Sequence, residues 1–197
     1  MSEEEIGVKE RLLASGKEEF LQNGFRNASL RRICAKAGVT TGALYFFFQN
    51  KEELFCTIVE KPMSQYEEII GKTIQREWED RSTAIENEEQ IIRFLLRYKD
   101  EYILLIEKSE GTRYAGFFEQ YKSRLEEVFI SFFEKYAPGR AQPELIKLIV
   151  EMRIQGYMEL LKGNYTLEET IKLTKYMAYY ADAGFAGLIE QLNKEGN

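Results

Sequence analysis

The 197-residue chain contains no histidine, and its two cysteines, Cys34 and Cys56, match no zinc-ligand spacing, so mixed Cys/His metal sites are excluded. Two isolated cysteines are no disulfide framework either, and they read as buried free thiols in a reducing compartment. No stretch reaches the roughly 18 apolar residues of a membrane span. The start, Ser2-Glu3-Glu4-Glu5, is the reverse of the positive opening of a secretory leader. The expectation is a soluble, cytoplasmic protein with no membrane contact. A glycine-rich phosphate loop and a nucleophile elbow are also missing, which removes the usual machinery of an enzyme and leaves no cofactor to expect. Glu107 and Glu110 remain as an acidic pair and read as a solvated helix end. With only three prolines (Pro62, Pro138, Pro143) and no alternating apolar segment long enough for a strand, the fold class is all-α.

The charge that is present is unevenly placed. The net charge is -6, yet residues 6–51 hold eight basic side chains against three acidic ones. A basic head on an acidic body is the electrostatic arrangement of a modular DNA binder.

Helix signals follow in order. Ser2 with Glu5 has the form of a capping box, and Val8, Leu12, Leu13, Phe20 and Leu21 then make an apolar stripe at helical spacing. Asn23-Gly24-Phe25 is expected to end this helix, with Gly24 left-handed and Phe25 folded back on Phe20 in a Schellman-type cap. Ser29 caps a short second helix that buries Leu30, Ile33, Cys34 and Ala37 and turns Arg31, Arg32 and Lys36 to solvent. Gly38 closes it, and Thr40 caps a third helix from Thr41 to about Phe47, the form of a helix-turn-helix. Asn50 with Glu53 opens a longer helix, which Pro62 is expected to kink or end near Lys61. Residues 91–106 are apolar on more than one face and read as one segment inside a bundle. Residues 114–136 form an aromatic-rich helix closed by Pro138-Gly139, Pro143 opens another to 162, and Thr166 with Glu169 caps the last. The small residues of that last helix (Ala178, Ala181, Ala183, Gly184, Ala186, Gly187) let helix backbones approach closely. Together 143–162 and 167–193 suggest a homodimer interface of two helices from each chain.

Residues 37–51 read AGVTTGALYFFFQNK. The segment closely resembles the signature of the tetracycline-repressor (TetR) family: a glycine turn, a polar cap, two small residues, Leu-Tyr and an aromatic pair before Phe, then a Ser/Asn-Lys step. Upstream, Phe20, Gly24-Phe25, Ser29 and Ile33-Cys34-Ala35-Lys36 fall at the family's spacing, so about 50 residues carry the resemblance. It implies a three-helix helix-turn-helix DNA-binding domain over 1–50 and a helical-bundle ligand-sensing and dimerisation domain over 51–197. It further implies a transcriptional repressor that a small-molecule effector releases from a palindromic DNA operator.

In helix-turn-helix proteins the start of the second helix of the motif enters the major groove. Thr40 and Thr41 place hydroxyls and free amides there, and Gly42 and Ala43 keep the surface low. Tyr45 and Lys51 are the expected phosphate clamps, with Ser29 as a further phosphate donor and Arg31 close to the DNA. Phe46 and Phe47 depart from the histidine, tryptophan or tyrosine that relatives often carry, and Phe46 is assigned instead to a thymine methyl or a sugar. Leu44 and Phe48 are core. Within the body, Tyr98, Tyr102, Phe117, Tyr121, Met152 and Gln155 are the candidate ligand-lining residues, with Arg113 as anchor for an acidic group. Competing with this reading are a ligand-independent DNA-binding protein and a helical adaptor controlled by a protein partner, which has kept the motif as scaffold.

Overall fold

The computed structural model describes residues 3–195, every regular element of which is helical. Met1 and Ser2 lie outside them, and with them the expected Ser2 cap. In order the helices are α1 (Glu3–Asn27), α2 (Leu30–Ala37), α3 (Thr41–Phe47), α4 (Lys51–Glu79), a single 3-10 turn (Arg81–Thr83), α5 (Ala84–Arg97), α6 (Lys99–Glu107), α7 (Phe117–Tyr136), α8 (Pro143–Lys162) and α9 (Leu167–Glu195). No helix among the described residues is long and apolar enough to cross a membrane.

Two compact units divide the chain. One holds residues 1–65 and 98–118, the other 66–97 and 119–197. The expected boundary at residue 50 therefore falls inside the first unit. The physical reason is aromatic packing: Phe55 of α4 meets Phe20 and Phe25 of α1 edge-on at 5.2 and 5.6 Å, while Leu104 and Leu105 of α6 are buried in the same core. Phe20 and Phe55 are fully buried, which stabilises the unit by roughly 1.5–3 kcal/mol per side chain. Gly16 allows α1 to lie against α4, since a Cβ there would stand 3.1 Å from Leu54.

The end of α1 differs from a Schellman cap. Gly24 does take a positive φ of 69°, but its ψ of 165° is extended rather than left-handed. The Phe25 amide then donates to the carbonyl of Lys108 at 3.0 Å, so the end of α6 satisfies the turn in place of α1's own carbonyls. Phe25 still reaches Phe20, at 5.9 Å between ring centres.

Pro62 does not end α4, which runs unbroken through it. The apolar stretch 91–106, by contrast, is two helices. Tyr98 leaves helical geometry (φ -117°, ψ 32°) between α5 and α6, and the chain passes there from the second unit to the first. Periodicity hides this break because both sides of it are buried.

The second unit packs α5, α7, α8 and α9 with the end of α4. Phe185 of α9 sits edge-on to Phe133 and Tyr136 of α7 at 5.3 and 6.0 Å, and Trp78 of α4 meets Phe132 at 5.4 Å. Thr166 and Glu169 cap α9 reciprocally: the Thr166 amide donates to the Glu169 carboxylate at 2.8 Å and the Glu169 amide to the Thr166 hydroxyl at 3.2 Å.

Candidate functional site

In the first unit, α2 and α3 form a capped pair. Ser29 Oγ accepts from the Arg32 amide, Gly38 closes α2 in the left-handed conformation (φ 66°, ψ 36°), and Thr40 Oγ1 accepts from the Ala43 amide at 3.2 Å. Leu44 and Phe48 are buried as expected and fix α3 against the core. The opposite face of α3 is open: Thr40, Thr41 and Gly42 are exposed, Tyr45 is 54% exposed and Phe46 69% exposed. Phe46 stands edge-on to Phe47 at 4.9 Å, which props its ring outward.

The three basic residues of α2 are not equivalent. Arg32 donates through Nε and Nη2 to Glu19 Oε1 at 2.9 and 2.5 Å, and the same oxygen accepts the Ser29 amide at 2.9 Å. Arg32 beside it holds the Glu19 carboxyl below its usual range against the opposing effect of burial, with the Ser29 amide assisting. Lys36 pairs with Glu18. Arg31 is exposed and, among the described residues, has no ion pair.

Lys51 is half-buried rather than a free point charge. Its ammonium donates to the carbonyls of Arg26 and Ala28, both at 3.1 Å, and lies 4.6 Å from the centre of the Phe25 ring. Burial lowers its pKa, and the Glu19 charge opposes that. Through these contacts the side chain staples the turn between α1 and α2. The basic head is also more local than the sequence implies. Residues 98–118 return acidic groups to this unit, where Lys17 meets Glu101 at 3.0 Å and Arg26 meets Glu110 at 2.9 Å. The whole unit carries twelve basic against thirteen acidic side chains. On α2, Arg31 is the basic residue left without an ion pair among the described residues.

The second unit encloses a cavity of about 130 Å³. Its walls are apolar (Ile70, Ile74, Leu125, Phe129 and Phe132 among them), but five charged groups also face it: Glu77, Arg81, Glu88, Arg153 and Asp182. Arg81 pairs with Asp182, and Arg153 with the buried Glu88. Each guanidinium also lies near an aromatic ring, Arg81 at 4.7 Å from the centre of Phe185 and Arg153 at 6.0 Å from that of Phe129. Glu77 has no ion pair among the described residues. Burial raises its carboxyl, with Arg153 and Arg81 opposing. Burial also raises Glu88, to which the Glu77 charge adds. Beside them Asn87 is buried, and its amide donates to the Thr73 carbonyl at 3.0 Å, while its Oδ1 has no donor among the described residues.

None of the seven residues expected to bind a ligand lines this cavity. Tyr98, Tyr102, Arg113 and Phe117 lie in the first unit, because the break at Tyr98 carries 98–118 there. Tyr102 is buried and Phe117 packs against that unit's core. Arg113 is exposed, 3.8 Å from Glu60, and its amide donates to Glu52 at 2.8 Å. Tyr121 is in the second unit, but its hydroxyl is 3.0 Å from that of Tyr66. Met152 and Gln155 are exposed on α8. A signal for this cavity was present in the sequence: Arg153 is a lone guanidinium among the apolar residues of α8, a pattern that asks for a buried partner.

On α8 and α9, Leu148, Met152, Tyr176, Tyr179 and Tyr180 are exposed together with Ala181, Ala183, Gly184, Ala186 and Gly187.

Residues 12–57 match the family described as bacterial regulatory proteins, tetR family. The HTH-type transcriptional repressor BepR of Brucella suis biovar 1 is 35% identical over 63 residues, 32% of this chain and 30% of that protein. The match thus spans about a third of the relative's length. Over the whole fold, a transcriptional regulator from Aquifex aeolicus superposes with a TM-score of 0.59 at 25% identity, covering 88% of this chain and 99% of that one. AibR, solved in complex with isovaleryl coenzyme A and operator DNA, shares the fold with a TM-score of 0.58 at 17% identity, covering 86% and 97%.

Proposed function

We propose, for a chain whose head is that of the bacterial tetR family, that it is a sequence-specific DNA-binding transcriptional regulator of the cytoplasm: a repressor released from a palindromic operator by a small molecule. The observation that carries this reading is the α2–α3 pair. Its inner residues are core, its caps are formed, and its outer face offers Thr40, Thr41, Gly42, Tyr45 and Phe46 with an uncommitted Arg31 beside them. Short polar groups and a low surface suit entry into a major groove, Arg31, Ser29 and the Tyr45 hydroxyl suit phosphates, and the Phe46 ring suits a thymine methyl or sugar.

Two such heads reading a palindrome need a dimer, with recognition helices about 34 Å apart. The exposed α8–α9 face, large side chains beside a small-residue stripe, is the surface proposed to pair with its equivalent on a second copy. The effector is assigned to the second unit's cavity. A ligand that binds better to a state unable to span both half-sites lowers operator affinity by that difference in affinity.

The test is binding of the purified protein to its own upstream DNA over a salt series, against scrambled DNA of equal length. Preference for the native sequence, two protomers per site or a multiple, and a steep salt slope are expected. Equal, weak binding to both DNAs would overturn the reading.

A further inference from the structure

We propose that the cavity of the second unit takes a small organic monocation, a protonated alkylamine, held by Glu77. This rests on the reading above for its regulatory meaning, though not for the binding itself.

The electrostatics select the sign. Three carboxylates and two guanidiniums face one cavity. Both guanidiniums are matched, Arg81 by Asp182 and Arg153 by Glu88, which leaves one acidic group, Glu77, in excess; burial raises Glu77 and raises Glu88 to about 8, so at pH 7 this acidic excess is held as a bound proton. A half-buried carboxylate without an ion pair takes up a proton, and an ammonium placed beside Glu77 takes that proton's place, the proton leaving to solvent. The hydrogen-bonding inventory points the same way. The orphan group near the cavity is an acceptor, Asn87 Oδ1, whose amide holds the Thr73 carbonyl, and Thr73 lines the cavity. An ammonium brings donors only, whereas a carboxylate or phosphate ligand would bring further acceptors to a site already rich in them. An anion would have to break one of the two ion pairs to find a partner.

The walls select the body of the ligand. Ile70, Ile74, Leu125 and Phe132 are apolar, so the remainder of the molecule is hydrocarbon. About 130 Å³ is well below the roughly 300–1,000 Å³ of drug-sized pockets. The fit is to a short alkyl chain, not to a large lipophilic cation.

The experiment is calorimetric titration of the full-length protein at pH 7 with n-butylamine, n-butanol and butyrate. Emission from Trp78, the chain's one tryptophan, reports the site locally because its ring packs on Phe132 of the cavity wall. Butylamine is expected to bind at least tenfold more tightly than butanol, with butyrate weakest. Glu77→Gln should weaken the amine ten- to hundredfold and leave butanol unchanged. Arg81→Gln removes a positive neighbour and should tighten the amine. These opposite signs separate charge recognition from a loss of folding, which would weaken both variants. Butyrate binding above the amine, equal binding of amine and alcohol, or a Glu77→Gln variant that binds the amine as the parent does would each overturn the proposal. No DNA is present, so a failure of the DNA-binding reading appears only in the operator titration and leaves this result standing.

Discussion

Replacing Glu19 with Gln changes one charge and almost no volume at the joint between α1 and α2. Glu19 Oε1 accepts from the Ser29 amide at 2.9 Å and from Arg32 at 2.9 and 2.5 Å, and it holds the first residue of the α2 cap in place. Hydrogen bonds to a charged acceptor contribute roughly 1.5–3 kcal/mol and neutral ones about 1 kcal/mol. The Arg32 end is largely exposed and solvent-screened, so the weight falls on the shielded Ser29 bond. The expected loss is about 1 kcal/mol at pH 7, a fall in melting temperature of about 2–4 °C for a chain of this size. The sign with pH follows from the direction of the shift. The carboxyl is lowered on folding, so its contribution is fully present above its ordinary value of 4.5 and disappears as pH falls through the lowered folded value. Thermal or urea melts of parent and variant, followed by circular dichroism, should therefore separate at pH 7 and converge in acid. Coincident melts at pH 7, or a separation that persists undiminished below the folded pKa, would refute the reasoning.

Arg31→Ala should weaken operator and scrambled DNA alike and reduce the salt slope by about 0.9 per head, or about 1.8 per dimer, without changing the melt; an unchanged slope would remove Arg31 from the interface. Lys51→Met should do the converse, lowering stability by about 1 kcal/mol through the lost carbonyl contacts at Arg26 and Ala28 while leaving the salt slope as it was. Substituting Leu148 and Met152 with Glu places charges on the exposed α8 face and should give a monomer by light scattering, with operator affinity at least a hundredfold weaker; a persistent dimer would put the interface elsewhere.

Those elements whose cause lies within a few residues could be read from the chain alone. Ser29, Gly38, Thr40 and Asn50 act on backbone groups two to four positions away, so the ends of α2, α3 and the start of α4 follow from their spelling. The Thr166–Glu169 box and the start of α8 at Pro143 are of the same kind. The helix-turn-helix signature belongs to this class as well, because it records a local surface.

Long-range partners decided the rest. Gly24 departs from a helix-ending cap because its neighbour's amide is taken by Lys108, 83 positions away. Lys51 has the sequence position of a clamp, yet two carbonyls and an aromatic ring of the α1–α2 turn occupy it. Residues 98–118 look like the middle of the body, but the break at Tyr98 sends them to the first unit, where their carboxylates offset its basic residues. The candidate cavity likewise draws charged groups from α4, the 3-10 turn, α5, α8 and α9. Periodicity tells which face of a helix is apolar, but which buried charge meets which depends on how separate helices pack, and no single stretch of sequence contains that information.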